Sequence, residues 1–369
     1  MSSSLVSPGF ADTPVIPPYR NDLLDMLGIR LPIIQAPMAG VSTPAMAAAV
    51  MNAGGLGSLG FGATDAATAR SMIRAVRERS AGSLNVNVFC HPPANPNAAT
   101  ESAWIERLRP EFERFGARPP RQLTELYKSF LEDEAMLAML LEEKPRVVSF
   151  HFGVPPRKTL RQLIDAGIVL LGCATTVKDA LILQEAGIHG VIGQGYEAGG
   201  HRGLFEVDGR DDQLGALALT RLLATRLTVP VIAAGGIMDG NQIRAALNLG
   251  ASAAQLGTAF IACSESQADA GYRAALRSEA AYHTVMTRAI SGRPARALNN
   301  RFTQLAANVA ADQIPCYPIA YDAAKALHGA AKASGEHGYG AYWAGQGAPM
   351  IREGSAADLI SALASELFG

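Results

Sequence analysis

Short apolar runs recur along the chain, each followed by a stretch of helical character, and this alternation limits the fold more than any other feature. The first run is Pro32–Ala36, followed by the loop Pro37–Gly40 and an Ala-rich helix over Thr43–Ala53. Seven more follow at Leu56–Leu59, Leu84–Phe89, Arg146–Phe150, Ile168–Gly172, Gly190–Gly193, Val231–Ala234 and Ala253–Leu256. Helical patterns fill the gaps at Asp65–Arg79, Arg157–Ala166, Val177–Ala186, Ala216–Arg226 and Asn241–Leu249. The runs read as apolar on both faces, which predicts a parallel sheet covered by helices. Eight such units predict an α/β fold of the (β/α)8 TIM-barrel type rather than an open doubly wound sheet. Ala53-Gly54-Gly55, Ala166-Gly167, Ala186-Gly187 and Leu249-Gly250 read as helix C-caps that feed the next strand.

A barrel needs about 250 residues, and the chain has 369. The surplus is concentrated in two insertions, 91–145 after the third strand and a mostly helical 265–340 after the eighth. Insertions at that end of barrel strands lie on the catalytic face, so both are expected to be lids over a substrate site. The barrel is then expected to span 21–264 and to be completed by 341–369, with a last helix over Ala356–Leu367. Residues 1–20 carry four prolines and read as an extended arm, followed by a short helix over Asn21–Gly28.

Composition excludes several classes. Apolar residues make up 49% and charged residues 18%, which suits a large core and not a disordered chain. Lys+Arg is 32 against Asp+Glu 33, so no nucleic-acid partner is expected. No apolar run reaches the roughly 20 residues of a spanning helix, so no membrane partner is expected. The N-terminus lacks a basic segment followed by an apolar one. Cys90, Cys173, Cys263 and Cys316 lie far apart, without zinc spacing. A cytoplasmic protein without structural metal is expected.

The stretch Gly193–Gly203 follows the sixth strand and carries the strongest chemical signal. Its glycines permit close backbone approach to a ligand, and it holds Gln194 and Glu197 at its head and His201 at its tail. Two later loops agree with it. Gly235 and Gly236 follow the seventh strand; Gln255, Leu256, Gly257 and Thr258 close the eighth. Barrels bind phosphate with these loops through backbone N–H groups. The plainer reading is that the glycines only cap tight turns. A Walker loop and a Rossmann fingerprint are both missing. Small residues after the first strand (Ala36, Pro37, and Met38 as a soft apolar contact) suit a flat ring. Asn87 at the end of the third strand suits a heterocycle's polar edge. One phosphate, one ring and no adenosine pocket fit FMN.

Four stretches then carry a family resemblance: Pro32–Gly40, Ser149-Phe150-His151-Phe152-Gly153, Gln194–Gly203 and Tyr342-Trp343-Ala344-Gly345-Gln346-Gly347. From about residue 28 to the C-terminus the chain resembles the class I nitronate monooxygenases, formerly called 2-nitropropane dioxygenases. The first and third stretches are shared in part with flavin-dependent quinone and enoyl reductases on the same barrel. The resemblance implies an FMN-binding TIM barrel with a helical lid that oxidises alkyl nitronates, notably propionate 3-nitronate, with O2 to nitrite and an aldehyde or oxo acid. It implies that Asn87, Gln194, Gly199, Gly200, Gly236 and Gln255–Thr258 hold the cofactor with Met38 against its ring. It further implies His201 as the active-site histidine, His151 as a second histidine near the flavin, and Tyr127, Tyr272, Tyr317, Tyr321 and Lys325 as the substrate-pocket lining.

Nitronates are already anions, so His201 as a hydrogen-bond donor would hold the nitro oxygens, whereas for a neutral nitroalkane it would act as general base. His151 reads equally as a strand-end structural residue. Tyr317, Tyr321 and Lys325 are four apart and would share one helical face, suited to a substrate carboxylate. Trp343–Gln346 would either touch the cofactor or fix the lid. Two other functions stay open: an FMN-dependent NAD(P)H:quinone or enoyl reductase, and a non-catalytic ligand-binding barrel. The protein is expected to act as a monomer or homodimer on a small nitronate and O2.

Overall fold

The computed structural model describes residues 21–369; the expected arm over 1–20 lies outside the described residues. In chain order the strands are β1 (Ile33–Gln35), β2 (Gly57–Gly60), β3 (Leu84–Phe89), β4 (Val147–His151), β5 (Val169–Ala174), β6 (Gly190–Gln194), β7 (Gly200–His201), β8 (Val231–Ala234), β9 (Ala253–Leu256), β10 (Thr284–Thr287) and β11 (Ala295–Leu298). Eight of them pair in parallel in the order β1-β9-β8-β6-β5-β4-β3-β2. A parallel bridge between Ile34 and Leu56 joins the two ends, so the sheet curls into the expected barrel.

The helices are α1 (Asp22–Leu27), α2 (Pro44–Ala53), α3 (Ala66–Arg77), α4 (Ala98–Arg114), α5 (Glu134–Glu143), α6 (Arg157–Asp165), α7 (Val177–Glu185), α8 (Ala216–Arg226), α9 (Gly240–Asn248), α10 (Thr258–Ile261), α11 (Ala270–Leu276), α12 (Arg301–Leu305), α13 (Ala320–Ala333) and α14 (Ala356–Phe368). Local chemistry sets many of their ends. Thr43, Asp65, Thr176 and Asp239 each accept a backbone N–H of the first turn that would otherwise lack a partner. Gly54 closes α2 at φ 103°, a conformation barred to most residues. At the barrel's N-terminal end α1 buries Leu23 and Leu27 against Ile34, Val147, Leu171, Ile192 and Ile232. That apolar plug leaves the C-terminal mouth for the site.

The strands are less apolar than their sequences suggest. Gln35, Ser58, Asn85, Asn87 and Ser149 are all buried. Gln35 accepts the Ser58 N–H (2.8 Å) and donates to Ser42 Oγ (2.9 Å), Asn85 donates to Ser58 Oγ (3.1 Å), and Asn87 donates to Ser149 Oγ (2.9 Å). These two sets of bonds, one from Ser42 to Asn85 and one between Asn87 and Ser149, partner most of the polar groups that would otherwise be costly inside a core, and leave Asn85 Oδ1 buried without a partner among the described residues.

The two insertions make one cap. From the first, α4 joins the cap and α5 returns to the helical ring between α3 and α6. Trp104, Ile105, Leu108 and Phe112 of α4 bury against Phe302, Tyr317, Tyr321 and Leu327 of the second insertion. Glu111 ties them together by pairing with Arg301 (2.8 Å) and accepting from the Tyr339 hydroxyl. The second insertion holds helices as expected and also a β-hairpin, β10–β11. One strand of that hairpin, β11, pairs antiparallel with β7 of the Gly-rich loop: Ala295 faces His201 and Arg296 faces Gly200. Among the described residues, no helix is long and apolar enough to cross a membrane, and no group of His, Cys, Asp and Glu is arranged to hold a metal ion.

Trp104 is 1% exposed and central to the cap's core. Trp104→Ala is expected to lower the unfolding free energy by about 3–5 kcal/mol, read by denaturant titration. A loss below about 1 kcal/mol would show that the cap does not depend on this packing.

Candidate active site

A cavity of about 760 Å³ lies between the barrel mouth and the cap. Its barrel side is formed by Ala36, Pro37, Met38, Asn87, His151, Gln194, Gly199, Gly200, Gly235, Gly236, Gln255, Gly257 and Thr258, with His201 beside them. Its cap side brings Tyr127, Tyr272, Tyr317, Tyr321, Lys325 and Trp343. Each site residue expected from the sequence therefore lines one space, with a single exception. Leu256 is buried among Ile33, Ala233 and Phe260, so its side chain serves the core.

The Gly-rich loop is held by bonds that explain its composition. Gln194 donates to the His201 carbonyl (2.9 Å) and accepts the Gly203 N–H (2.8 Å), tying the loop's two ends together. Glu197 accepts the Ala216 N–H with both carboxylate oxygens (2.8 and 3.0 Å), so it caps α8. Arg202, 1% exposed, pairs with Asp211 (2.8 Å) and donates to the carbonyls of Gln194 (2.8 Å) and Gly195 (3.2 Å). A Cβ at Gly199 would fall 2.5 Å from the Gly345 nitrogen, and one at Gly345 would fall 2.7 Å from the Glu197 carbonyl. Close backbone contact is thus what these glycines permit. The Trp343–Gln346 stretch is clamped here: Gly345 N–H donates to Thr258 Oγ1 (2.9 Å) and Gln346 N–H to the Glu197 carbonyl (2.9 Å).

His201 hangs from β7 in a ring of aromatic contacts: Phe152 (5.6 Å), Tyr317 (5.6 Å), Tyr321 (6.0 Å) and Trp343 (5.2 Å). Ser291 Oγ donates to the Arg293 carbonyl (3.1 Å), so His201 Nε2–H is assigned as the donor to Ser291 Oγ (2.9 Å). That leaves Nδ1 unprotonated. Burial, helped by His151, Arg293 and His91, holds the His201 pKa well below 6.5. His151 Nε2–H donates to the His201 carbonyl (3.1 Å), and burial brings its pKa down to about 4. Both imidazoles are therefore neutral near pH 7, and His201 keeps an unprotonated Nδ1.

Polar groups along the cavity wall remain free for a ligand. Asn87 donates its amino group to Ser149, and its carbonyl oxygen has no partner among the described residues. Gln255 Oε1 is buried and unpartnered. Gly235 (φ 118°) and Gly236 (φ 71°) adopt backbone conformations that suit glycine and line the cavity. A Cβ on Gly257 would lie 3.7 Å from Met38 Sδ, so the loops after the first and eighth barrel strands adjoin.

On the cap side, Tyr321 and Lys325 sit on α13, but Tyr317 precedes that helix. The three are not one helical face. They meet because the chain turns at Pro318, with the Tyr317 and Tyr321 rings 6.2 Å apart and Lys325 Nζ 4.7 Å from the Tyr127 ring centre. Burial raises the Tyr317 and Tyr321 hydroxyl pKa values far above 10, keeping both as neutral donors.

Sequence reasoning missed Ser291, Phe152 and Arg293. Phe152 occupies the left-handed region (φ 71°), unusual for a bulky residue. There its ring touches those of Phe89 (4.9 Å), His151 (4.5 Å) and Tyr317 (5.5 Å). The available signal was the His-Phe-Gly stretch itself, with Gly153 beside a strained Phe. Ser291 and Arg293 lie in the cap and carry no motif that would point to the barrel.

The comparisons with known proteins agree with this geometry. The family model described as nitronate monooxygenase matches residues 20–366. The chain is 58% identical over 348 residues to a nitronate monooxygenase of Paraburkholderia phytofirmans, covering 94% of this chain and 95% of that one. It is 54% identical to a nitronate monooxygenase of Pseudomonas aeruginosa, covering 93% of this chain and 98% of that one. Among solved structures it is similar to a nitroalkane oxidase from Streptomyces ansochromogenes, with a TM-score of 0.85 and 40% identity over 94% of this chain and 97% of that one. The chain is an oxidoreductase that belongs to the flavin-dependent nitronate monooxygenase family.

Proposed function

We propose that the protein oxidises alkyl nitronates with O2, propionate 3-nitronate among them, giving nitrite and an aldehyde or oxo acid, with FMN as its flavin. The observation that carries this reading is a buried, neutral His201 between a glycine-built barrel rim and a cap that shows Lys325 to the same cavity. The residues present fit FMN. Backbone N–H groups of Gly235, Gly236 and the Gln255–Thr258 loop would hold the phosphate, Leu256 contributing its backbone alone. The free carbonyl oxygens of Asn87 and Gln255 would accept N–H or O–H groups of the cofactor, with Met38 and the small Ala36–Pro37 pair against its ring. Gln194, Gly199 and Gly200 would form the adjoining rim. A bound flavin supplies the electron acceptor that O2 then restores.

What the chain's own residues do follows from their charge states. The substrate arrives without the proton that a nitroalkane carries on carbon, so no strong base is needed. His201, with a lowered pKa and an unprotonated Nδ1, forms one wall of the substrate space and accepts protons only weakly. Neutral His151, Tyr317 and Tyr321 exclude water and supply hydrogen-bonding groups. Lys325 and Tyr127 meet a substrate carboxylate, with Tyr272 bracing the cap through its bond to the Trp343 carbonyl. We further place the protein in the cytoplasm, as a monomer or homodimer, with the barrel over 21–264 and 341–369 and the substrate cap centred on 265–340.

Purified protein is expected to be yellow, to release FMN on heating, and to form nitrite from propionate 3-nitronate. Colourless protein that takes up no FMN would remove this reading. Under argon, nitronate should bleach the flavin and NADH should not; rapid bleaching by NADH would favour a reductase. His201→Asn should keep FMN and lose about 100-fold or more in turnover, so an unchanged rate would refute its role. Lys325→Met should raise KM about 10-fold for propionate 3-nitronate and little for an uncharged-chain alkyl nitronate. Equal effects on both would count against the carboxylate contact.

A further inference from the structure

We propose that Arg293, buried behind the cavity wall, supplies a fixed positive charge to the inner end of this site, apart from Lys325 on the cap, and makes it selective for anions. The proposal rests on the nitronate reading above and explains what holds negative charge where His201 is neutral.

Arg293 is 2% exposed. Among the described residues its guanidinium makes one hydrogen bond, from Nη2 to the Leu204 carbonyl, and its Nε is buried without a partner. No carboxylate pairs with it. Asp208, the acid that bears on it, is itself exposed and pairs with Arg288 (2.9 Å). Two other arginines are as deeply buried and are treated differently. Arg202 has Asp211 and two carbonyls; Arg296 donates twice to the Tyr196 carbonyl and once to Thr284. An unpaired buried cation is expensive. The Phe152 and Tyr317 rings, 4.1 and 6.0 Å from its guanidinium carbon, and the exposed Asp208 offset only part of that cost. A negative charge in the adjacent cavity would offset more.

Geometry puts that charge where it acts. The guanidinium carbon lies 4.1 Å from the centre of the Phe152 ring, which is itself in contact with the His91, His151 and His201 rings. Arg293 does not line the cavity, so it works through the field in a water-poor interior and not by touching the ligand. Asp269 is the one carboxylate among the residues lining the cavity, and Lys332 neutralises it (2.6 Å). The titratable and charged groups around Arg293 are His91, His151, His201, Tyr317, Arg288 and Asp208. Each of the three histidines has its pKa lowered in part by Arg293, whereas Arg293 itself falls only to about 10 and stays charged.

Nitrate, a planar anion that does not titrate near neutrality, tests this through its dissociation constant for the holoenzyme, read from the flavin spectrum. In the unaltered protein that constant should vary less than about twofold between pH 6 and 8.5, because the charge belongs to an arginine. Weakening by about tenfold per pH unit above 6.5 would assign the charge to a histidine and overturn the proposal. Arg293→Met should weaken nitrate at least tenfold and raise the His151 and His201 titration midpoints in the 15N-imidazole NMR spectrum; Arg293→Lys should restore both. A folded Arg293→Met protein with unaltered nitrate affinity would also overturn it. If that variant does not fold, Lys325→Met decides: with a flat pH series, nitrate affinity within about threefold of the unaltered protein supports Arg293, whereas a loss of about tenfold or more would assign the charge to Lys325 and overturn the proposal. Nitrate binding requires no turnover. A protein that binds nitrate as described yet fails to oxidise nitronates would sink the functional reading and leave the charge assignment standing.

Discussion

Two residue pairs, Gly200 with Arg296 and His201 with Ala295, join barrel to cap, and the site depends on that short antiparallel ladder. It is extended by the Arg202 N–H bonded to the Pro294 carbonyl (2.9 Å). On the barrel side Gln194 and His151 both donate to the His201 carbonyl; on the cap side Ser291 meets its ring. The histidine is thus fixed from two layers at once. Its loop can enter the ladder because Gly200 accepts φ 74°. An ordinary flexible loop would leave the imidazole to choose among rotamers, and the cavity would lose its defined wall.

Burial is the second theme. The histidines are held neutral chiefly by desolvation, and the same effect keeps Tyr317 and Tyr321 protonated. A site without a strong base or a free carboxylate is poorly suited to pulling a proton from carbon. It is well suited to a substrate that arrives as an anion, provided something nearby is positive. Arg293 stands buried behind the cavity wall and Lys325 at the surface of the cap.

Much of the barrel was legible because its signals are local. Strand length, helix ends at Gly54, Gly167, Gly187 and Gly250, and the glycines at 199–200 and 235–236 each reflect constraints within a few residues. The bonding of Gln35, Ser58 and Asn85, and of Asn87 with Ser149, was not legible, since such partners meet only when β1 to β4 are laid side by side. Glu197 looked chemical and proved to be a helix cap. Tyr317 looked helical from its spacing, yet it lies ahead of α13 and reaches Tyr321 through a turn. The division of the first insertion, α4 to the cap and α5 to the ring, depends on which apolar faces meet, and that is a long-range matter.

By itself the sequence determined the βα alternation, the glycine-built rim and the identity of His201, because periodicity, turn chemistry and motif spacing are written residue by residue. Only the tertiary structure decided the charge state of that histidine, its Ser291 partner and the place of Arg293. Those depend on burial and on partners about 90 residues away in the chain, and neither distance through space nor loss of solvent can be read along a single strand of text.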